Sequence, residues 1–303
     1  MKRMRFFAAI VALVIVLSPA LSLGAETTRF VFLKAIYTDD KGGSLKYPDG
    51  LACGSAGRLI VADTQNNRLV RYTVQDGNVT GGAEIKIPQL SFPIKVHVNS
   101  KGEIFVLNGK PLRLLRLSPE GQFIGYVDPA GLPAPTSFVP KNFRIDADDN
   151  IYILDVFSGR VIVLTPDGKF KSAISFPKEY GFFADLAVDS AGNVLLIDAL
   201  NAQIFSAAKG TDTFSALTKS EKESLKFPTS ITTDKRGFIY VIDQNAAGIA
   251  VFAKDGTFLN RQLSFGWNEG LLRYPAQLCI DDQDHAFIAD RANDRVEIFT
   301  LYR

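Results

Sequence analysis

From residue 29 onward the apolar positions come in short runs separated by turn residues, and the runs repeat in a fixed order. In the first unit Pro48 precedes a strand at Leu51, Ala52 and Cys53. Gly57 marks a turn, Leu59, Ile60 and Val61 form a second strand, and Asp63 and Arg68 follow. The same grammar returns five more times. Pro93, Pro140, Pro228 and Pro275 repeat the opening proline, and Phe183-Ala184 replaces it in the fourth unit. An acidic or amide residue recurs at Asp63, Asn108, Asp155, Asp198, Asp243 and Asp290, at spacings of 45, 47, 43, 45 and 47 residues. The first turn holds Gly57, Gly102, Asp149, Gly192, Gly237 and Asp284, all types that tolerate positive φ. Second strands such as Ile104-Phe105-Val106 and Ile239-Tyr240-Val241 are apolar on both faces, as strands sandwiched between neighbouring sheets should be. Six units of this length predict an all-β fold, a six-bladed β-propeller with four-stranded blades.

Glycine turns at Gly77, Gly121, Gly168, Gly210 and Gly256 end the third strand of five units. The sixth stops after Val296-Glu297-Ile298-Phe299, close to the end of the chain, while an extra strand, Arg29-Phe30-Val31-Phe32-Leu33, precedes the first unit. An unpaired edge invites aggregation, so the ring is expected to close by that N-terminal strand completing the C-terminal blade.

The segments Asp63-Thr64-Gln65-Asn66-Asn67-Arg68-Leu69 and Asp290-Arg291-Ala292-Asn293-Asp294-Arg295-Val296 closely resemble the NHL repeat family. The resemblance runs from about residue 29 to the end. Units two, four and five depart at the Asn and Arg positions, most clearly at Gly248, where Arg is expected.

The first 25 residues change the picture of where the chain works. Lys2, Arg3 and Arg5 precede an apolar stretch from Phe6 to Leu17, then Pro19 and small residues to Ala25, the pattern of a secretory signal peptide. Cleavage after Ala25 or after Ser22 fits the small-residue rule equally. Residues 1–25 are therefore assigned to a leader and 26–303 to the propeller, with periplasmic or secreted localisation. No transmembrane segment remains after cleavage, although an uncleaved leader is long enough to anchor the chain. Without it, 31 basic and 32 acidic residues leave a net charge of −1. Nothing electrostatic recruits nucleic acid.

The resemblance implies two enzyme classes, a zinc-dependent amidating lyase and calcium-dependent lactonases. The residue types oppose both. A zinc site of that kind takes several imidazoles, and only His97 and His285 are present. In register, Gly50, Lys95, Asn142, Asp185, Ser230 and Gln277 begin the innermost strands, with a single carboxylate and a lysine that opposes a cation. No metal and no cofactor is expected. The repeated Asp column reads as a structural satisfier of loop amides. The arginines after it, Arg68, Arg113, Arg160 and Arg295, are expected to pair with neighbouring blades.

One cluster stands out: Lys95, His97, Asn142 and Arg144 on adjacent innermost strands, followed by Asp185. Period-two alternation sends the members of each pair to one face. They form either a polar pocket for a carboxylate or partner loop, or an internally satisfied network in a water-filled channel. Cys53 and Cys279 lie on the innermost strands of blades one and six, neighbours once the ring closes. A disulfide and two buried thiols both fit, because the strand columns do not say whether their faces meet. Longer connections at 125–139, 211–226 and 264–273 carry Tyr126, Phe265 and the one tryptophan, Trp267, on the face of the Asp loops. The reading is a monomeric, non-catalytic scaffold that binds an envelope or extracellular protein or peptide through these loops. The alternative is a propeller hydrolase or lyase at the channel mouth.

Overall fold

The computed structural model describes residues 28–75 and 77–302, so the leader expected at 1–25 lies outside the described residues. Six four-stranded antiparallel sheets form a ring. Blades one to five span 48–85, 93–126, 140–175, 183–216 and 228–262. The sixth joins Leu278–Ile280, His285–Asp290 and Arg295–Tyr302 to the N-terminal strand Arg29–Ile36. That strand runs antiparallel to the last one, from Arg29 opposite Tyr302 to Ile36 opposite Val296. The ring is therefore sealed by strands from both ends of the propeller, as the missing sixth turn predicts. Among the described residues no helix is long and apolar enough to cross a membrane.

The two-faced apolarity of the second strands has a direct cause. Each seam between neighbouring blades holds one apolar cluster. In blade one Leu59 and Val61 pack toward blade six with Phe287 and Ile298, whereas Ile60 and Ala62 pack toward blade two with Val96, Ile104 and Val106. Successive side chains point to opposite faces, and here both faces meet another sheet.

The first turns are built as expected. Gly57, Gly102, Asp149, Gly192, Gly237 and Asp284 all have positive φ. At Gly57 a Cβ would stand 1.8 Å from the Val74 carbonyl oxygen, so this turn admits no side chain.

The Asp column does structural work, chiefly on the loop that leads into its own blade. Asp63 accepts from Lys46 N, Asn108 from Ser91 N, Asp155 from Val139 N, Asp198 from Gly181 N and Phe182 N, Asp243 from Lys226 N and Phe227 N, and Asp290 from Arg273 N. The arginine expectation is corrected. Arg68, Arg160 and Arg295 pair with Asp63, Asp155 and Asp290 of their own blades at 2.7, 3.2 and 2.8 Å, and Arg113 reaches Asp128 at 3.2 Å. Five residues around a tight turn bring the two side chains to opposite positions on paired strands, closer than any neighbouring sheet. In blade five Arg261 of the outer strand occupies the space left by Gly248 and meets Asp243 at 2.7 Å.

Cys53 and Cys279 form a disulfide across the seam of blades one and six, with Cα atoms 6.0 Å apart. Both pack against the same apolar cluster, which shows that their faces meet.

Candidate functional site

Five of the six innermost strands begin with an irregularity that the sequence register did not anticipate. Pairing slips by one residue between Pro48 and Gly50, Pro93 and Lys95, Pro140 and Asn142, Phe183 and Asp185, and Pro228 and Ser230. The extra residue at each bulge, Asp49, Ile94, Lys141, Ala184 and Thr229, turns toward the mouth of the central channel. The column that the sequence placed there sits one step deeper.

This shift separates the predicted cluster. Asp185 is fully buried and all its capacity is used: Oδ1 accepts from Asn142 Nδ2 and Leu186 N, and Oδ2 accepts from Ser230 Oγ at 2.7 Å, Arg144 Nη2 at 2.9 Å and Ile231 N at 3.1 Å. Asn142 is likewise fully buried. These contacts stitch the innermost strands of blades three, four and five. Arg144 Nη1 lies 3.0 Å from His97 Nε2, and both line a small cavity of about 160 Å³ further down the channel. Enclosure and the Arg144 charge hold the His97 imidazole well below its ordinary range, so it is neutral and its Nε2 accepts the guanidinium proton. Lys95 alone of the five lines the channel mouth.

The mouth is a cavity of about 400 Å³. Its walls include Tyr47, Phe92, Phe182 and Phe227, each of which immediately precedes the first residue of an innermost strand. Sequence reasoning missed this collar, yet its signal is in the chain: the residue before the opening position is Tyr47, Phe92, Val139, Phe182, Phe227 and Tyr274, aromatic in five units of six. Tyr47 and Phe92 adopt φ of 55° and 53°, a left-handed conformation that a bulky residue before proline disfavours. Both are held from the preceding blade. Asp294 Oδ1 accepts from Tyr47 N and Asn67 Oδ1 accepts from Phe92 N, each at 2.7 Å. The fifth residue of the best repeat motifs thus positions the next blade's aromatic ring, and two strained residues, Tyr47 and Phe92, stand at the mouth.

The charges here are unusual for a divalent cation. Asp49 is the one carboxylate lining the cavity, and it is ion-paired with Arg291, beside Lys95 and Lys141. Burial raises the Asp49 carboxyl above its usual range despite Arg291 and Lys95. Lys141 Nζ lies 5.2 Å from the Phe182 ring centroid, and the Arg291 guanidinium 5.1 Å from that of Tyr47. Three cations and one committed carboxylate do not make a calcium or zinc donor set. Among the described residues no group of three or more His, Cys, Asp or Glu side chains is placed to hold a metal ion. Lys95 makes no hydrogen bond or ion pair with the described residues. Loss of hydration inside the channel pushes its amine down to about 8; Asp185 pulls it back up and Arg144 pushes it further down.

The three aromatic residues expected on binding loops do not share one surface. Tyr126 ends the outer strand of blade two, with the Arg113 guanidinium 3.6 Å from its ring centroid. Phe265 and Trp267 lie between blades five and six, in edge contact at 5.1 Å and exposed at 51% and 64%. Arg295 holds their loop by its backbone, donating to the carbonyls of Trp267, Asn268 and Leu271. A slightly larger cavity, about 430 Å³, opens on the opposite face between blades one, two and three. There Arg71 donates to the Pro119 carbonyl, and Asp149 accepts from Ser100.

No family model matches the chain, and no curated protein matches it. Solved structures do. Virginiamycin B lyase from Staphylococcus aureus superposes with a TM-score of 0.63 at 14% identity, over 91% of this chain and all of that one. A gluconolactonase from Xanthomonas campestris gives 0.67 at 14%, over 91% and 90%. The PQQ-bound aldose sugar dehydrogenase from Streptomyces coelicolor gives 0.62 at 14%, over 91% and 99%. At this identity the likeness establishes the six-bladed propeller and not the narrower NHL assignment. The neighbours so described are enzymes; the chain is a six-bladed β-propeller similar to them in fold.

Proposed function

We propose that the channel mouth binds a small organic anion and that the chain acts on it as a hydrolase or lyase. The observation that carries this reading is the unpaired Lys95 amine in a cavity walled by four aromatic side chains, two of them on strained backbone. Concave, mostly apolar sites with a few convergent polar groups and a shifted titration are where small molecules bind. Lys141 and Arg291 supply positive charge for a carboxylate, and Lys95 supplies a base. The enzyme neighbours add weight through fold analogy alone. The leader pattern in the sequence at 1–25 supports a place of work in the periplasm or outside the cell.

Calorimetry with aromatic and aliphatic carboxylates, alongside lactone and ester turnover assays, tests this directly. Saturable binding that weakens at least about tenfold in Lys95→Met and in Phe92→Ala is expected, a loss of about 1.4 kcal/mol each. Absence of binding and turnover across the panel would overturn it.

A second reading rests on Phe265 and Trp267, whose exposed rings on a pinned loop suit a protein or peptide partner. Capture from an envelope fraction, compared between the wild type and Trp267→Ala, tests it. Equal recovery of the same proteins by both would end that reading.

A further inference from the structure

Among the charged side chains that line the channel mouth, Lys95 has no hydrogen-bond, ion-pair or ring partner among the described residues, whereas Asp49 and Arg291 pair and Lys141 lies against Phe182. Asn142, Asp185, Ser230, Arg144 and His97 satisfy one another, and Asp49 is taken by Arg291. Lys95 sits at the boundary between this closed network and the open mouth, on a strand whose position is fixed by pairing with Leu107. A general base needs only to reach a proton. A primary amine with no ion partner, enclosed and facing a cavity walled by aromatic rings, can also act as a nucleophile.

We infer that Lys95 forms a covalent imine with a carbonyl compound that has an aromatic or apolar body and a carboxylate, such as an aromatic 2-oxo acid. This deepens the proposed small-molecule site and rests on it. The aromatic collar takes the body, and Lys141 and Arg291 at the rim take the carboxylate. The Nζ lone pair attacks the carbonyl carbon and the π electrons move to oxygen. The amine gives up two protons, and the oxygen leaves with them as water, so that one C=N bond replaces one C=O bond and no redox change occurs. Desolvation favours this chemistry because it raises the neutral fraction of the amine. Surface lysines, hydrated and ionised, lack that advantage.

The test uses phenylpyruvate as the probe and cyanoborohydride as hydride donor, which reduces any imine to a stable secondary amine, followed by peptide mapping of the labelled lysines. At pH 7 an amine near 8 is about 10% neutral and an ordinary lysine well under 0.1%, so labelling of Lys95 at least about tenfold above other lysines is expected. Lys95→Arg should lose this label and keep the background, and circular dichroism checks its fold. Binding of 3-phenylpropanoate, which has no ketone, is measured in parallel. Binding of both compounds with labelling spread evenly over the lysines overturns the imine and leaves the small-molecule site standing. Neither binding nor selective labelling overturns both. Because the primary readout is made on the wild-type protein, a misfolded variant does not remove the test.

Discussion

At the scale of single residues, Lys95 and Asp185 answer burial in opposite ways. Asp185 is surrounded by donors and is a structural keystone. Asp185→Ala leaves the Arg144 guanidinium buried without its carboxylate and orphans Ser230, so a loss of about 3–5 kcal/mol in unfolding free energy is expected from denaturant titration. A loss below about 1 kcal/mol would contradict this account. Lys95 has no such partner, and its effect on stability follows from linkage. Well below pH 8 the amine is protonated in both states, and the folded state bears the desolvation cost. Between about 8 and the ordinary 10.5 the folded chain releases the proton first, so that cost shrinks as pH rises. Unfolding curves for wild type and Lys95→Met are therefore expected to converge across this window, the wild type gaining relative to the variant. Parallel curves from pH 7.5 to 10.5 would show that the amine is not perturbed.

Within the blades, the repeated motif has two separable duties. Its Asp and Arg fasten the loop entering their own blade, and its fifth residue, Asn67 or Asp294, sets the aromatic ring of the next one. Blade five lacks the motif arginine and recovers the ion pair from a different strand through Arg261. Arg261→Ala is thus expected to cost about 1.5–3 kcal/mol, like the loss of a hydrogen bond to a buried charge, whereas Lys254→Ala on the adjoining turn should fall within about 0.5 kcal/mol of wild type. Thermal unfolding of the two variants side by side checks this. The departure at Gly248, legible in the sequence as a broken motif, is in the folded blade a relocation of the same charge.

For the whole molecule, closure is the decisive event. The two seams of blade six are complete only when the N-terminal strand pairs with Arg295–Tyr302, and the disulfide between Cys53 and Cys279 ties blades one and six across 226 residues of chain. Constraining so long a loop restricts the unfolded ensemble. Reduction, or Cys53→Ser with Cys279→Ser, is expected to lower unfolding free energy by about 2–5 kcal/mol in urea titrations with and without dithiothreitol. Deleting residues 28–36 exposes the edge of the last strand, and light scattering should detect association of that variant at concentrations where the wild type remains dispersed.

The repeat spacing, the turn residues and the strands apolar on both faces determined six blades and their order, because these features are local and recur in register. The missing sixth turn and the extra strand at residue 29 likewise foretold the closure. Which side chains reach the channel mouth was decided only by the tertiary structure. A one-residue bulge at the start of the innermost strands exchanges the column at the surface for the one beneath it, and period-two alternation cannot register such a slip. Whether Cys53 meets Cys279, and whether Lys95 keeps company with Asp185 or stands apart, depended in the same way on contacts between strands far apart in sequence.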